Sequence, residues 1–345
     1  MLALAALSAL LVSCETINYY EQAARGQLVI LFNRRDINRL LADDATPQPL
    51  RQQLQTVLAL RDYAAQQLDL PVGDSYLSYV ELEREHVLWN VFAAPEFSLD
   101  PLTWCYPIAG CVSYRGYFSE ARALRAAEKM ADAGYDVYTG SVDAYSTLGW
   151  FADPVFSTVI ARQDYQLAEL IFHELAHQRV YFPGDTTFNE SFATFVEREG
   201  VRRWLGTHED FAGVAAAELS IQRQAQFVEL VSDYREQLEQ VYDADGPAAE
   251  MRQRKEAIQA ELREAYQALK AQWQGYTGYD RWFASSLNNA QLSTVTSYND
   301  LVPGLAALLQ SADGDLQTFY QKVEELRPLT AVERRARLLP DSAAP

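Results

Sequence analysis

Ligating side chains are scarce in this chain, which has four histidines and three cysteines in 345 residues. No CxxC pair occurs, and neither Cys105 nor Cys111 has a histidine beside it, which argues against a cysteine-built metal site. Basic charge is lacking too. Lys and Arg number 29 against 47 Asp and Glu, a net charge of -18 at pH 7. Nucleic acid and anionic lipid headgroups therefore find no general attraction, and only a local basic cleft could hold them. Internal repeats and low-complexity tracts are absent, apart from a short Pro- and Ala-containing tail after Leu339. The apolar run Leu2 to Val12 is too short to span a bilayer as a stable helix. What remains is a chain 49% hydrophobic and 22% charged, able to bury a real core as one large domain or two smaller ones.

Two of the four histidines stand in one run, His173-Glu174-Leu175-Ala176-His177. With histidine this rare, chance would place an HExxH in only ~0.5% of chains of this composition. Residues four apart share one face of an α-helix, so both imidazoles can aim at one point with Glu174 beside them. The segment reads as a helix: Leu167, Leu170, Ile171, Leu175 and Val180 recur at helical spacing, Asp164 opens it and Pro183-Gly184-Asp185 stops it. Catalytic zinc needs a third protein ligand and an open fourth position for water. Glu190 is the candidate. It also closes a capping box, Thr187-Phe188-Asn189-Glu190, so it can be a ligand or a helix cap. Glu197 and Asp185 are the alternatives for the third ligand. The expected chemistry is hydrolysis, with one Zn2+ per chain activating water and Glu174 as the general base. His86 and His208 stand alone and are expected to be structural.

The run Leu2 to Val12 ends in Leu11-Val12-Ser13-Cys14, the form of a lipobox. Residues 1–13 then read as a signal peptide, although no basic segment precedes the apolar run. The competing reading is a buried apolar helix with a chance cysteine. If Cys14 is acylated, several chains anchor the protein to a membrane. Glu15 follows rather than aspartate, which favours the outer membrane, facing the periplasm. Setting Cys14 aside leaves Cys105 and Cys111, a close pair around a Pro-Ile-Ala-Gly turn, for a disulfide in an oxidising compartment.

The pattern along the chain predicts an α+β, predominantly helical fold. Leu28 to Phe32 is helix or strand, Pro47 to Leu68 a helix through Leu50, Leu54, Leu58 and Leu60, and Tyr76–Val80 and Val87–Phe92 strands. Ser119-Glu120-Ala121 opens a helix that ends at Gly134. Tyr135–Tyr138 and Val155–Ile160 are expected strands flanking Tyr145 to Phe151, a substrate edge or an ordinary core strand. Past Gly206, Glu209 to Tyr242 and Ala248 to Trp273 form a helical hairpin about Asp243-Ala244-Asp245-Gly246-Pro247, as lid, docking arm or scaffold. His208 falls at a helix start, and Asn288-Asn289-Ala290 starts a helix through Tyr298. The division expected is 14–206 for the catalytic region and 207–345 for a helical region packed with it. Among twenty tyrosines, Tyr298 and Tyr145 are nominated to stabilise an oxyanion.

HELAHQ at His173–Gln178 with Asn189-Glu190-Ser191-Phe192-Ala193-Thr194-Phe195-Val196-Glu197 resembles the HELAHQ…NEGFAxYxE signature of aminopeptidase N-type gluzincins. Twelve residues lie between His177 and Glu190, several fewer than in aminopeptidase N, and no GxMEN-like segment lies upstream to hold a free amino terminus. Over most of its mature length the chain is more similar to the bacterial family of predicted lipoprotein aminopeptidases. The block Cys105-Tyr106-Pro107-Ile108-Ala109-Gly110-Cys111-Val112-Ser113-Tyr114-Arg115-Gly116-Tyr117-Phe118 and the segment Asn288-Asn289-Ala290 carry that likeness. The resemblance implies a zincin-like core, His173, His177 and Glu190 as zinc ligands, Glu174 as base, and peptides or proteins as substrates. It does not decide amino-terminal from internal cleavage. A zinc endopeptidase acting on envelope proteins, or a binding lipoprotein that keeps zinc for structure, are the alternatives.

Overall fold

The computed structural model describes residues 18–106, 110–144, 151–208, 210–244, 246–295 and 299–339. Among the described residues the first element is helix α1 (18–32), so the ambiguous Leu28–Phe32 run is helical. Strand β1 (Arg35–Asp36) leads into α2 (Ile37–Ala42), and α3 (Gln48–Gln67) starts directly behind Pro47, whose fixed φ suits a helix entrance. Leu54, Val57, Leu60 and Ala64 of α3 are buried at helical spacing.

The strands are short and fall into three small sheets. Strands β2 (Ser78–Val80), β3 (Leu88–Pro95), β4 (Trp104–Tyr106), β5 (Gly110–Val112) and β6 (Arg115–Tyr117) precede α4 (Glu120–Asp132). Then come β7 (Tyr135–Val142), β8 (Val155–Phe156) and the single turn α5 (Ser157–Ile160). The sheet orders are β1-β2-β8, β6-β3-β7 and β4-β5. The expected strand Val155–Ile160 therefore stops after two residues. Only Val155 and Phe156 pair with β2 (Tyr79 and Val80), the Ser157 hydroxyl accepts from Leu82 N at 2.9 Å, and the chain turns so that helical spacing buries Val159 and Ile160. In the sheet order β8 is an edge strand of its sheet.

The rest is helical: α6 (Asp164–Arg179), α7 (Thr186–Thr207), α8 (Phe211–Asp243), α9 (Ala248–Gln272), α10 (Asp280–Phe283), α11 (Asn289–Leu292), α12 (Val302–Gln310), α13 (Leu316–Glu324) and α14 (Ala331–Leu338). The α8–α9 hairpin matches the expected pair of long polar helices. His208 does not open a helix; it caps the C-terminus of α7, with Nδ1 2.8 Å from Trp204 O and its ring against Trp204 at 3.8 Å. The helix expected from Asn288 to Tyr298 is only one turn long. The Ser293 and Thr294 hydroxyls bond back to the carbonyls of Ala290 and Gln291, which ends α11 after Leu292. Tyr298 lies outside the described residues.

Apolar side chains gather in two main cores. The larger joins α2, α3, α5, α6 and α7 with α12, α13 and α14. The smaller joins α8 and α9 with residues 273–295 and Leu99. Asn289 links this second core to the sheet: its side chain donates to Pro95 O and Glu96 O at 3.0 Å and accepts from Tyr242, and its backbone N–H reaches Asp136 at 2.9 Å. Lys255, buried on α9, pairs with the same Asp136. Chain after Thr207 thus serves both cores, most of the hairpin in the smaller one and the start of α8, through Ala217, with α12–α14 in the larger.

Candidate metal centre

Helices α6 and α7 pack side by side and supply every group of the candidate centre. Helix α6 opens on a reciprocal cap between Gln163 and Gln166, with Asp164 as its first residue, and buries Leu167, Ala168, Ile171, Phe172, Leu175 and Ala176. The turn to α7 holds Gly184 at φ +84, a left-handed conformation that glycine adopts without strain. Asn189 ties this turn to α7: its side chain accepts from Phe182 N at 2.8 Å and donates to Phe182 O at 2.9 Å. Below it, Phe182, Phe188, Phe192 and Phe319 stack in nearly parallel sequence. Farther along α7 the two helices approach closely at Gly200, where a Cβ would lie 2.7 Å from the Phe172 ring.

The cap of α7 resolves the two readings of Glu190. Asp185 is the N-cap, accepting from Phe188 N at 3.1 Å, while its other oxygen takes Arg334 Nε at 2.8 Å from α14. Glu190 lies past the first turn of α7 and does not cap it. Its Oε2 is 3.4 Å from His173 Nε2 and 3.7 Å from His177 Nε2, and the two imidazole nitrogens are 3.2 Å apart. Among the described residues, these three form the one group of His, Cys, Asp and Glu side chains close enough to hold an ion.

Those distances test the fit of zinc. Zn–N and Zn–O bonds of about 2.0–2.1 Å in tetrahedral geometry set neighbouring ligand atoms roughly 3.3 Å apart. Three edges of 3.2, 3.4 and 3.7 Å approximate one face of that tetrahedron, with the fourth corner left to water. Glu197, an alternative third ligand, instead accepts at 2.9 Å from the far nitrogen of His173, Nδ1. A carboxylate there fixes the tautomer with Nε2 toward an ion. Asp185, the other alternative, is committed to the cap and to Arg334.

The electrostatics also suit a cation. Burial drives the His177 pKa down to about 4, with His173 adding to the effect, so its imidazole is neutral as a ligand must be. Burial alone would lower His173 as well, but Glu190 and Glu197 outweigh it and raise its pKa well above the usual value. Burial pushes Glu174 up to about 7, opposed by His173 and reinforced by Glu190, Asp153 and Glu197. One turn before His173, burial and Glu197 push Glu169 up to about 8.

Three tyrosines border the site, and sequence reasoning nominated none of them. Tyr114 is 39% exposed overall, yet its hydroxyl is pushed up, first by desolvation among its neighbours and then by Glu190, Tyr181 and Glu174. Tyr181 is raised by burial and by Glu190, and its ring meets that of His177. Tyr76 is buried, has a positive φ of 61°, bonds through N to Asp153 O at 2.7 Å, and is raised by burial and by Glu174. A bulky residue at positive φ marks local strain. The nominated Tyr145 and Tyr298 lie outside the described residues, as does Cys14. Cys105 and Cys111 face each other across β4 and β5 and form a disulfide. This hairpin sits against the α6–α7 turn, a Cβ on Gly110 falling 3.5 Å from Gly184 N. Tyr114 is therefore delivered to the site by the block that starts at Cys105. His86 stays away from the ligand group, bonded to Asp143 at 2.6 Å.

A family model described as a putative aminopeptidase matches residues 18–338. No curated protein matches the chain, and no solved structure does.

Proposed function

Since the chain belongs to the putative aminopeptidase family, we propose that it is a zinc-dependent peptidase acting through His173, Glu174, His177 and Glu190. The observation that supports this reading most is the approach of two imidazole nitrogens and one carboxylate oxygen to a tetrahedral face, with Glu174 beside it. Zinc, when bound, supplies a Lewis acid and lowers the pKa of its water to about 7. Glu174, its pKa raised by burial, takes a proton from the attacking water and delivers it to the leaving amine. Glu197 holds His173 in the tautomer that presents Nε2. Tyr114, kept protonated, donates to the oxygen that gains charge as the carbonyl is attacked. The protein works from a membrane, held by lipid on Cys14 and facing the periplasm from the outer membrane.

The family description points to amino-terminal cleavage. The lack of a GxMEN-like segment upstream of His173 favours an endopeptidase as the second reading. Hydrolysis of fluorogenic peptides with free and with blocked amino termini separates them. Wild type is expected to cleave one set, and Glu174→Gln to cleave roughly 10²–10⁴-fold more slowly. Equal rates for wild type and Glu174→Gln would reject the mechanism, and bound zinc without cleavage of any peptide would make the protein a binding lipoprotein.

A further inference from the structure

One cavity has none of the candidate metal ligands in its lining, and that lining has the opposite charge to the molecule. It has a volume of 530 Å³ and lies between α1, β6 and α4. Arg115, Arg122, Arg125 and Lys129 line it together with the aromatic rings of Tyr19 and Trp104, and no carboxylate does. In a chain with a net charge of -18 such a lining departs from the average surface. Arg122, Arg125 and Lys129 recur at i, i+3 and i+7 on one stripe of α4; Glu120 falls on the opposite side, while Glu128 and Asp132 flank the stripe without lining the cavity. The guanidinium of Arg115 lies over the Tyr19 ring at 4.0 Å, and Arg122 meets the half-exposed Glu21 at 3.2 Å. Gln22 joins the two walls, accepting from Phe118 N at 3.0 Å.

Helix α1 adds apolar surface beside this basic lining. Val29 lies two turns beyond Gln22 on the same stripe and is 48% exposed, and Leu28 and Phe32 are 49% and 83% exposed. Basic side chains next to exposed apolar ones are what an anionic membrane interface selects. Asn18, which lines the cavity, is four residues from Cys14, so an acylated Cys14 holds this face within about 14 Å of the bilayer. We infer that the α1–α4 face is a docking surface for anionic phospholipid headgroups, with phosphate in the basic cavity and Leu28, Val29 and Phe32 at the acyl boundary. This rests on the lipid-anchor reading for the source of the ligand. The net negative charge does not oppose this, because remote carboxylates are screened beyond a Debye length of about 8 Å.

The test is flotation of the full chain carrying Cys14→Ser with vesicles of phosphatidylglycerol and phosphatidylethanolamine, against vesicles of phosphatidylethanolamine and phosphatidylcholine alone. The readout is the ratio of the two affinities, in which apolar attraction common to both drops out. Binding should favour the anionic vesicles and weaken as salt rises. Losing one basic side chain costs roughly fivefold, so Arg122→Gln/Arg125→Gln/Lys129→Gln together should cost roughly a hundredfold. Equal binding to both vesicles, no salt dependence in the unsubstituted chain, or an unchanged triple variant would overturn the inference. Binding of glycerol phosphate without vesicle binding would also overturn it, in favour of a soluble phosphate ester. The anchor is read separately: wild type in the soluble fraction of cells, with vesicle selectivity intact, would remove the anchor and leave the docking surface standing.

Discussion

Helices α6 and α7 and helices α8 and α9 are both antiparallel pairs joined by a short turn, yet they bury different things. Twelve of the 22 residues of α7 are buried, among them Asn189, Ser191 and Thr194, and α6 buries His177. Helix α9 buries three of 25, Lys255, Leu262 and Tyr266. The hairpin is a polar arm with a narrow apolar stripe, whereas the α6–α7 pair is enclosed by α3, α12, α13 and α14. Burying a polar group costs free energy unless it is bonded, so polar residues concentrated inside one helix pair point to chemistry there. In the hairpin the single buried charge, Lys255, is a fastener.

If that contrast holds, Lys255→Ala should leave Asp136 with only the Asn289 N–H and destabilise the protein by about 3 kcal/mol, with zinc content unchanged; chemical denaturation together with metal analysis would show it. Loss of zinc in that variant would mean that the two pairs are not independent. Tyr114→Phe should reduce kcat by roughly 10²–10³ with zinc retained, and an unchanged kcat would move the oxyanion role to another donor. Glu197→Gln should weaken zinc binding roughly 10–100-fold through His173, without removing a ligand; a competition titration against a chelator measures it.

The smallest effect concerns pH. In the metal-free chain Glu169, Glu174 and His173 have raised pKa values, so between about pH 6.5 and 8 the folded state holds protons that the unfolded state has released. Stability must then fall as pH rises through that window. His177, lowered to about 4, acts in the opposite sense only below its unfolded value. The Tm of chelator-treated protein should decline from pH 6.5 to 8, and Glu169→Gln should make the decline shallower. A Tm that rises over this window would contradict the charge arrangement described here.

Helix periods were readable where one face is apolar, as in α3 and α6, whereas the α8–α9 hairpin was readable from its polar, helix-favouring composition and the Asp-Gly-Pro turn between its halves. His173, Glu174 and His177 were readable because helix geometry alone fixes their spacing. For Glu190 the sequence left a capping box open beside the favoured ligand role, and only the tertiary structure shows that Asp185, accepting from Phe188 N, caps α7 instead. The support that Glu197 gives to His173 depends on how α7 lies against α6, including the close approach at Gly200. Tyr114 could not be selected from twenty tyrosines, because the β4–β5 hairpin that delivers it packs on a turn some 70 residues later in the chain. The short strand β8 and the single turn α11 were overcalled for a shared reason: hydroxyls of Ser157, Ser293 and Thr294 bond to the backbone and end the elements early.

The most direct measurement is the zinc content of the purified chain compared with His177→Ala and Glu174→Gln, with folding of each checked by circular dichroism. The account predicts one zinc per chain in wild type and in Glu174→Gln, and none in folded His177→Ala. Wild type that stays metal-free in the presence of zinc, or a His177→Ala variant that keeps its zinc, would contradict it.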